Sequence, residues 1–257
     1  MATNRLTQKE LRAPDAFQRV GGEARHWLEV HRTLMVWAVV VVVAGAAVVA
    51  IASSLSSRGE QRAARALGTA LEPLDRPVGE PTPGEDKKPY ATQAEKDQAL
   101  SASLTSFRSE YSGTLSSTTA ALPLAAAELR LGQPDGVLAQ AADFLARAPS
   151  KQILRASALE AEGLAYEAKG QLDRALDAFE RMSREESGGY LAGMGLYHRA
   201  RILALQGKKA DAAKAYQELV VAQPGTAASR MALDRLSLLA AEGIRPPEIA
   251  PARPDGG

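Results

Sequence analysis

The sequence predicts an all-α protein: a single N-terminal transmembrane helix followed by an α-solenoid of stacked helical hairpins. Three observations carry this reading. Residues 34–52 (LMVWAVVVVVAGAAVVAIA), from Leu34 through Val43 to Ala52, run nineteen residues without a charge. Between about 91 and 242, small and large apolar residues recur at an offset of 37 positions. Ala, Leu, Glu, Arg and Gln dominate the remainder, which favours helices over sheets.

As a helix, nineteen residues reach roughly 28 Å, close to the ~30 Å hydrocarbon core of a bilayer. Only a helix satisfies its own backbone there, so the run of valines is no objection. Arg5, Lys9, Arg12, Arg19, Arg25 and Arg32 precede the stretch, whereas only Arg58, Arg62 and Arg65 follow within a similar distance. The side richer in Arg and Lys stays in the cytoplasm, so residues 1–32 are expected inside and residues 53–257 outside the inner membrane. Trp27 and Trp37 fall near the inner headgroup level, where an indole is well placed. Ala50-Ile51-Ala52 has the small-x-small pattern of a signal-peptide cut, but secretory apolar regions run about 7–15 residues. An uncleaved anchor over 33–53 is therefore expected.

The remaining parts follow in order. The cytoplasmic tail 1–32 contains Pro14 and Gly21-Gly22, and its stretch 23–32 (EARHWLEVHR) has the composition of an interfacial helix or of a solvated charged flank. Residues 54–90 read as a helical stalk, with Ala and Leu among Arg, Glu and Gln over 58–71, then a linker rich in proline. That linker holds Pro73, Pro77, Pro81, Pro83 and Pro89, which lack an amide donor and disfavour helix before them. The tail 243–257 carries four more prolines and is expected to be disordered. Linker and tail hold nine of the 14 prolines, so regular structure concentrates in 91–242.

Within 91–242, Leu159, Gly163, Tyr166, Gly170, Ala175 and Phe179 align with Leu196, Ala200, Leu203, Gly207, Ala212 and Tyr216, each 37 residues on. Met182 and Leu219 continue the match, and Pro224 closes the second unit. The small residues allow two antiparallel helices to approach, and the large ones fill the space between successive hairpins. Gly170 and Gly207 stand where a first helix must stop. A weaker unit over 119–150 keeps Gly132, Val137, Phe144 and Pro149 but has Glu128 where a large apolar residue is expected. Residues 91–111 read as the second helix of an incomplete unit, and 227–242 as a closing helix.

This pattern resembles the tetratricopeptide repeat, with a unit of 37 residues where that family has about 34. The resemblance implies a helical-hairpin array whose first helices line a concave groove for a peptide or partner helix. Carried over by position, the groove-facing residues are Ser157, Glu160, Leu164 and Glu167 in one unit, and Met194, Tyr197, Arg201 and Ala204 in the next. Tyr and Arg are the residue types that most often anchor interfaces, and Met adds adaptable apolar contact.

Composition and motifs argue against other classes. The six basic and four acidic residues of 1–32 leave 25 basic and 26 acidic downstream, no balance for nucleic acid. Without cysteine there is no disulfide scaffold or thiolate-ligated zinc. His26 and His31 flank the apolar stretch and His198 stands alone. No H-E-x-x-H, phosphate loop or G-x-S-x-G turn is present. An enzyme, a cofactor and a metal are not expected.

A short cytoplasmic tail, one anchor, a stalk and an outer repeat array together resemble the ancillary subunit of the bacterial Sec translocon. That resemblance implies association with the SecYEG channel, periplasmic chaperones and exported proteins. The linker over 73–89 departs from that plan. Two other readings stay open: a scaffold for envelope assembly or cell division with one specific partner, and a structural oligomer whose groove is filled by a neighbour or by 245–257.

Overall fold

The computed structural model describes residues 56–80, 88–150, 153–185 and 191–244. The chain divides into two compact units, Met1–Gly59 and Glu60–Gly257, and of the first only residues 56–59 are described. The cytoplasmic tail, the apolar stretch from Leu34 to Ala52 and the proline-rich tail from 245 onwards lie outside the described residues. No described helix is long and apolar enough to cross a membrane.

The second unit is built from helices. Residues 56–70 are helical (α1, of which 60–70 belong to this unit). Then come α2 (Gln93–Glu110), α3 (Leu115–Arg130), α4 (Pro134–Arg147), α5 (Arg155–Ala168), α6 (Leu172–Glu185), α7 (Met194–Leu205), α8 (Lys209–Ala222) and α9 (Ala227–Ala241). The described residues hold no strand, only an isolated bridge between Val78 and Tyr90.

Local chemistry sets where each helix starts and stops. The hydroxyls of Thr92, Thr114 and Thr226 accept from the amides of Glu95, Ser117 and Ser229, capping α2, α3 and α9. Pro134 opens α4, where its missing amide costs nothing. Four first helices end on one turn: Gly132, Gly170, Gly207 and Gly243 have φ of 68°, 70°, 79° and 82°. In each, the glycine amide donates to the carbonyl three residues back and the next amide donates five residues back. This is the Schellman arrangement, and only glycine adopts its left-handed backbone without strain.

The hairpins α3–α4, α5–α6 and α7–α8 stack in sequence, each helix packing on its neighbours, with first helices also meeting across seams (α3 on α5, α7 on α9). Buried residues at the repeat positions make the core. Phe179 and Met182 pack with Leu159, Ala175 and Ile202, and Tyr216 and Leu219 pack with Ala200 and Ala212. Close approach is literal at Gly163, where an added Cβ would lie 2.5 Å from the Phe179 ring. At Gly195 it would lie 2.6 Å from the Ser183 amide nitrogen, so α7 touches the backbone of α6.

Two sequence expectations are corrected here. Residues 60–70 are not a free stalk. Ala63 and Ala70 are buried in one cluster with Leu100, Leu104 and Phe107 of α2 and Ala120, Leu124 and Ala127 of α3. They supply the first helix of the unit that seemed incomplete at 91–111. The described part of the linker is fastened down as well. Lys96 Nζ donates to the carbonyls of Leu74 and Arg76, both at 2.7 Å, and the Arg76 guanidinium lies 4.0 Å from the Tyr90 ring centre. The insertion between α1 and α2 hid the hairpin because a proline-rich stretch breaks the repeat's register without breaking its packing.

Candidate interaction surface

The residues expected to face a groove lie on α5 and α7, and the structure brings several of them together. Glu160 Oε1 is 3.2 Å from His198 Nε2. The His198 ring stacks on Phe179, centroids 4.5 Å apart and planes 19° apart. Arg201 donates to His198 Nδ1 at 3.3 Å and grips Glu167 with both guanidinium nitrogens, the longer contact 2.6 Å. Because a guanidinium only donates, His198 Nδ1 must accept and Nε2 carries the proton given to Glu160. The chain Glu160–His198–Arg201–Glu167 therefore stitches α5 to α7.

Tyr197 is a correction. The sequence places it in an open groove, but its side chain is 3% exposed and packs against Tyr216 with ring centres 5.7 Å apart. Its hydroxyl accepts from Arg235 Nε of α9 at 3.3 Å. Leu164 and Met194 are partly buried against the α5–α6 cluster, and Ser157 is half-buried. Burial, with a small contribution from Tyr197, pushes the Tyr216 hydroxyl up to about 12, so it stays neutral.

One seam further along, a groove of about 350 Å³ runs between α7, α8 and α9. Its apolar lining includes Ala204, Leu205, Tyr216 and Leu238, and Arg201, Lys209 and Arg235 stand at its edges. Register relative to the turn glycines explains the opening. Five residues before the turn, Ala127, Ala165 and Ile202 are each fully buried, but Leu238 is 57% exposed. The pair that closes the α5–α7 seam, Glu167 with Arg201, has Ala204 and Ser237 in its place at the α7–α9 seam. Two small side chains cannot bridge the gap, and Leu205 beside it is also exposed. Arg235, Leu238 and this vacancy were missed from sequence. The signal was the absence of a pair, visible only once the seam is known.

Among the described residues no group of three His, Cys, Asp or Glu side chains is placed to hold a metal ion. The chain matches the model of the tetratricopeptide repeat-like domain over residues 25–238. It belongs to that family. No curated protein and no solved structure gives a match. As a tetratricopeptide repeat-like array the chain is an interaction module, a class generally without catalytic activity. The family match begins at residue 25, upstream of the apolar stretch, and ends within α9.

Proposed function

We propose that this protein is a single-pass protein of the bacterial inner membrane, with a cytoplasmic N-terminus and a periplasmic array, and that it serves the Sec translocon as an accessory. Its array receives exported chains near the channel or hands them on. The observation that carries this reading is the joining of a 19-residue uncharged stretch, with its basic side first, to a helical array open at one seam. The family match takes in the stretch and the array together.

The test is mild detergent extraction of membranes carrying a C-terminally tagged chain, after crosslinking in cells. Recovery of SecYEG subunits together with several exported proteins is the expected result. One stoichiometric envelope protein without channel subunits would replace this reading with that of a scaffold for envelope assembly or cell division. The groove between α7 and α9 favours that second reading, since its volume suits a single short segment.

A further inference from the structure

We infer that the groove between α7 and α9 takes a short apolar segment of a protein partner, and that Arg235 reads one acidic side chain in that segment. This rests on the chain being an interaction module and adds the chemistry of what it binds.

The charges around the groove are not equivalent. Arg201 is committed to Glu167, and Lys209 Nζ lies 2.6 Å from Glu242 at the groove's end. Arg235 has no carboxylate partner among the described residues, and donates only to the Tyr197 hydroxyl at 3.3 Å. Tyr216 below it is neutral, and Asp234 beside it on α9 acts on Arg235 through its field without forming an ion pair. One guanidinium with unused donors thus stands over an apolar floor of Ala204, Leu205 and Leu238. Exposing Leu205 and Leu238 to water is unfavourable, and apolar side chains laid on them would recover that free energy. A carboxylate among those side chains meets Arg235 in a partly desolvated setting, where a charge-assisted hydrogen bond is strong.

Selectivity follows from the same arrangement. A basic residue at that point faces the Arg235 guanidinium, which no ion pair among the described residues neutralises, so the groove disfavours it as well as favouring an acid. The volume, about 350 Å³, sits at the low end of ligand pockets and admits a few side chains.

The test uses the full chain in nanodiscs and a fluorescein-labelled, end-capped peptide with leucines on both sides of one glutamate, followed by anisotropy. Binding is expected to weaken about tenfold when the glutamate becomes glutamine, and further when it becomes lysine. In Arg235→Gln the glutamate and glutamine peptides should bind alike. The double change Ala204→Glu with Ser237→Arg copies the pair that closes the α5–α7 seam. It should abolish binding while helix content and melting hold, and Leu238→Ser should weaken every peptide. Equal affinity for the glutamate and lysine peptides, or binding that survives the closed seam, would overturn the proposal. So would a tenfold gain on deleting residues 245–257, which would make the chain's own tail the occupant. Self-association that the peptide disperses would make the occupant a second copy, and overturn it too. Absence of channel subunits in the crosslinking experiment sinks the translocon reading alone, whereas failure of the peptides sinks this one alone.

Discussion

Glu167 and Arg201, 34 residues apart in sequence, meet fork to fork across the seam between α5 and α7. Each side chain is 22% exposed, so the pair is neither free in water nor stranded in the core. Bidentate geometry and partial desolvation place its coupling above that of an ordinary surface ion pair. A double-mutant cycle over Glu167→Gln and Arg201→Met, read by urea denaturation, should return about 1–2 kcal/mol. A coupling near zero would mean that the seam is held by apolar packing alone.

Glu128 supplies a pH dependence. It is 8% exposed, its Oε2 has no hydrogen-bond partner, and burial raises its carboxyl above the usual value near 4.5, against smaller opposing effects of Gln140 and Arg108. The sign follows from the raised value. Below 4.5 the acid is neutral whether folded or unfolded and costs nothing, and the cost of a buried charge appears as pH rises through the folded-state value. Glu128→Gln should therefore stabilise the array by about 1 kcal/mol at neutral pH. In thermal melts the advantage should shrink to nothing as pH falls towards 4.5.

Gly195 is a packing position, not a turn. A methyl group there would lie 2.6 Å from the Ser183 nitrogen and 2.9 Å from the Phe179 carbonyl oxygen, both backbone atoms that cannot swing away. Gly195→Ala should cost about 1–3 kcal/mol through overpacking. Amide exchange should quicken in α6 and α7 before it does in α3 and α4. Uniform exchange across the array would show that this contact is not local.

Ala63 tests whether α1 is part of the array. It is fully buried among Leu100, Leu104 and Phe107. A carboxylate placed there by Ala63→Glu is buried without a partner and should cost about 3 kcal/mol in chemical denaturation followed by circular dichroism. An unchanged midpoint would restore α1 to a free stalk.

The helices and their turns were legible because short-range chemistry sets them. Gly170 and Gly207 mark turns by their backbone freedom alone, and Gly163, Phe179 and Tyr216 mark the hairpin interior by size. The partner of α2 was not legible. Its contacts come from Ala63 and Ala70, across an insertion in which Pro73 and Pro77 announce a linker and say nothing of what packs on either side. Tyr197 was placed on the right helix but with the wrong exposure, because the sequence does not tell how far α9 and its Arg235 lean over it. The anionic partner of Arg201 was among the residues picked from sequence, but as a second groove residue instead of its counterion.

Gly243 has a consequence for growth of the chain in evolution. Its turn is that of Gly132, Gly170 and Gly207, down to the same two backbone hydrogen bonds, so Ile244 leaves α9 along the path that Lys208 takes out of α7. A copy of residues 209–243 spliced after Ile244 would meet a junction already shaped to receive it. Duplication of a single segment could lengthen such a protein without any new joint having to be invented.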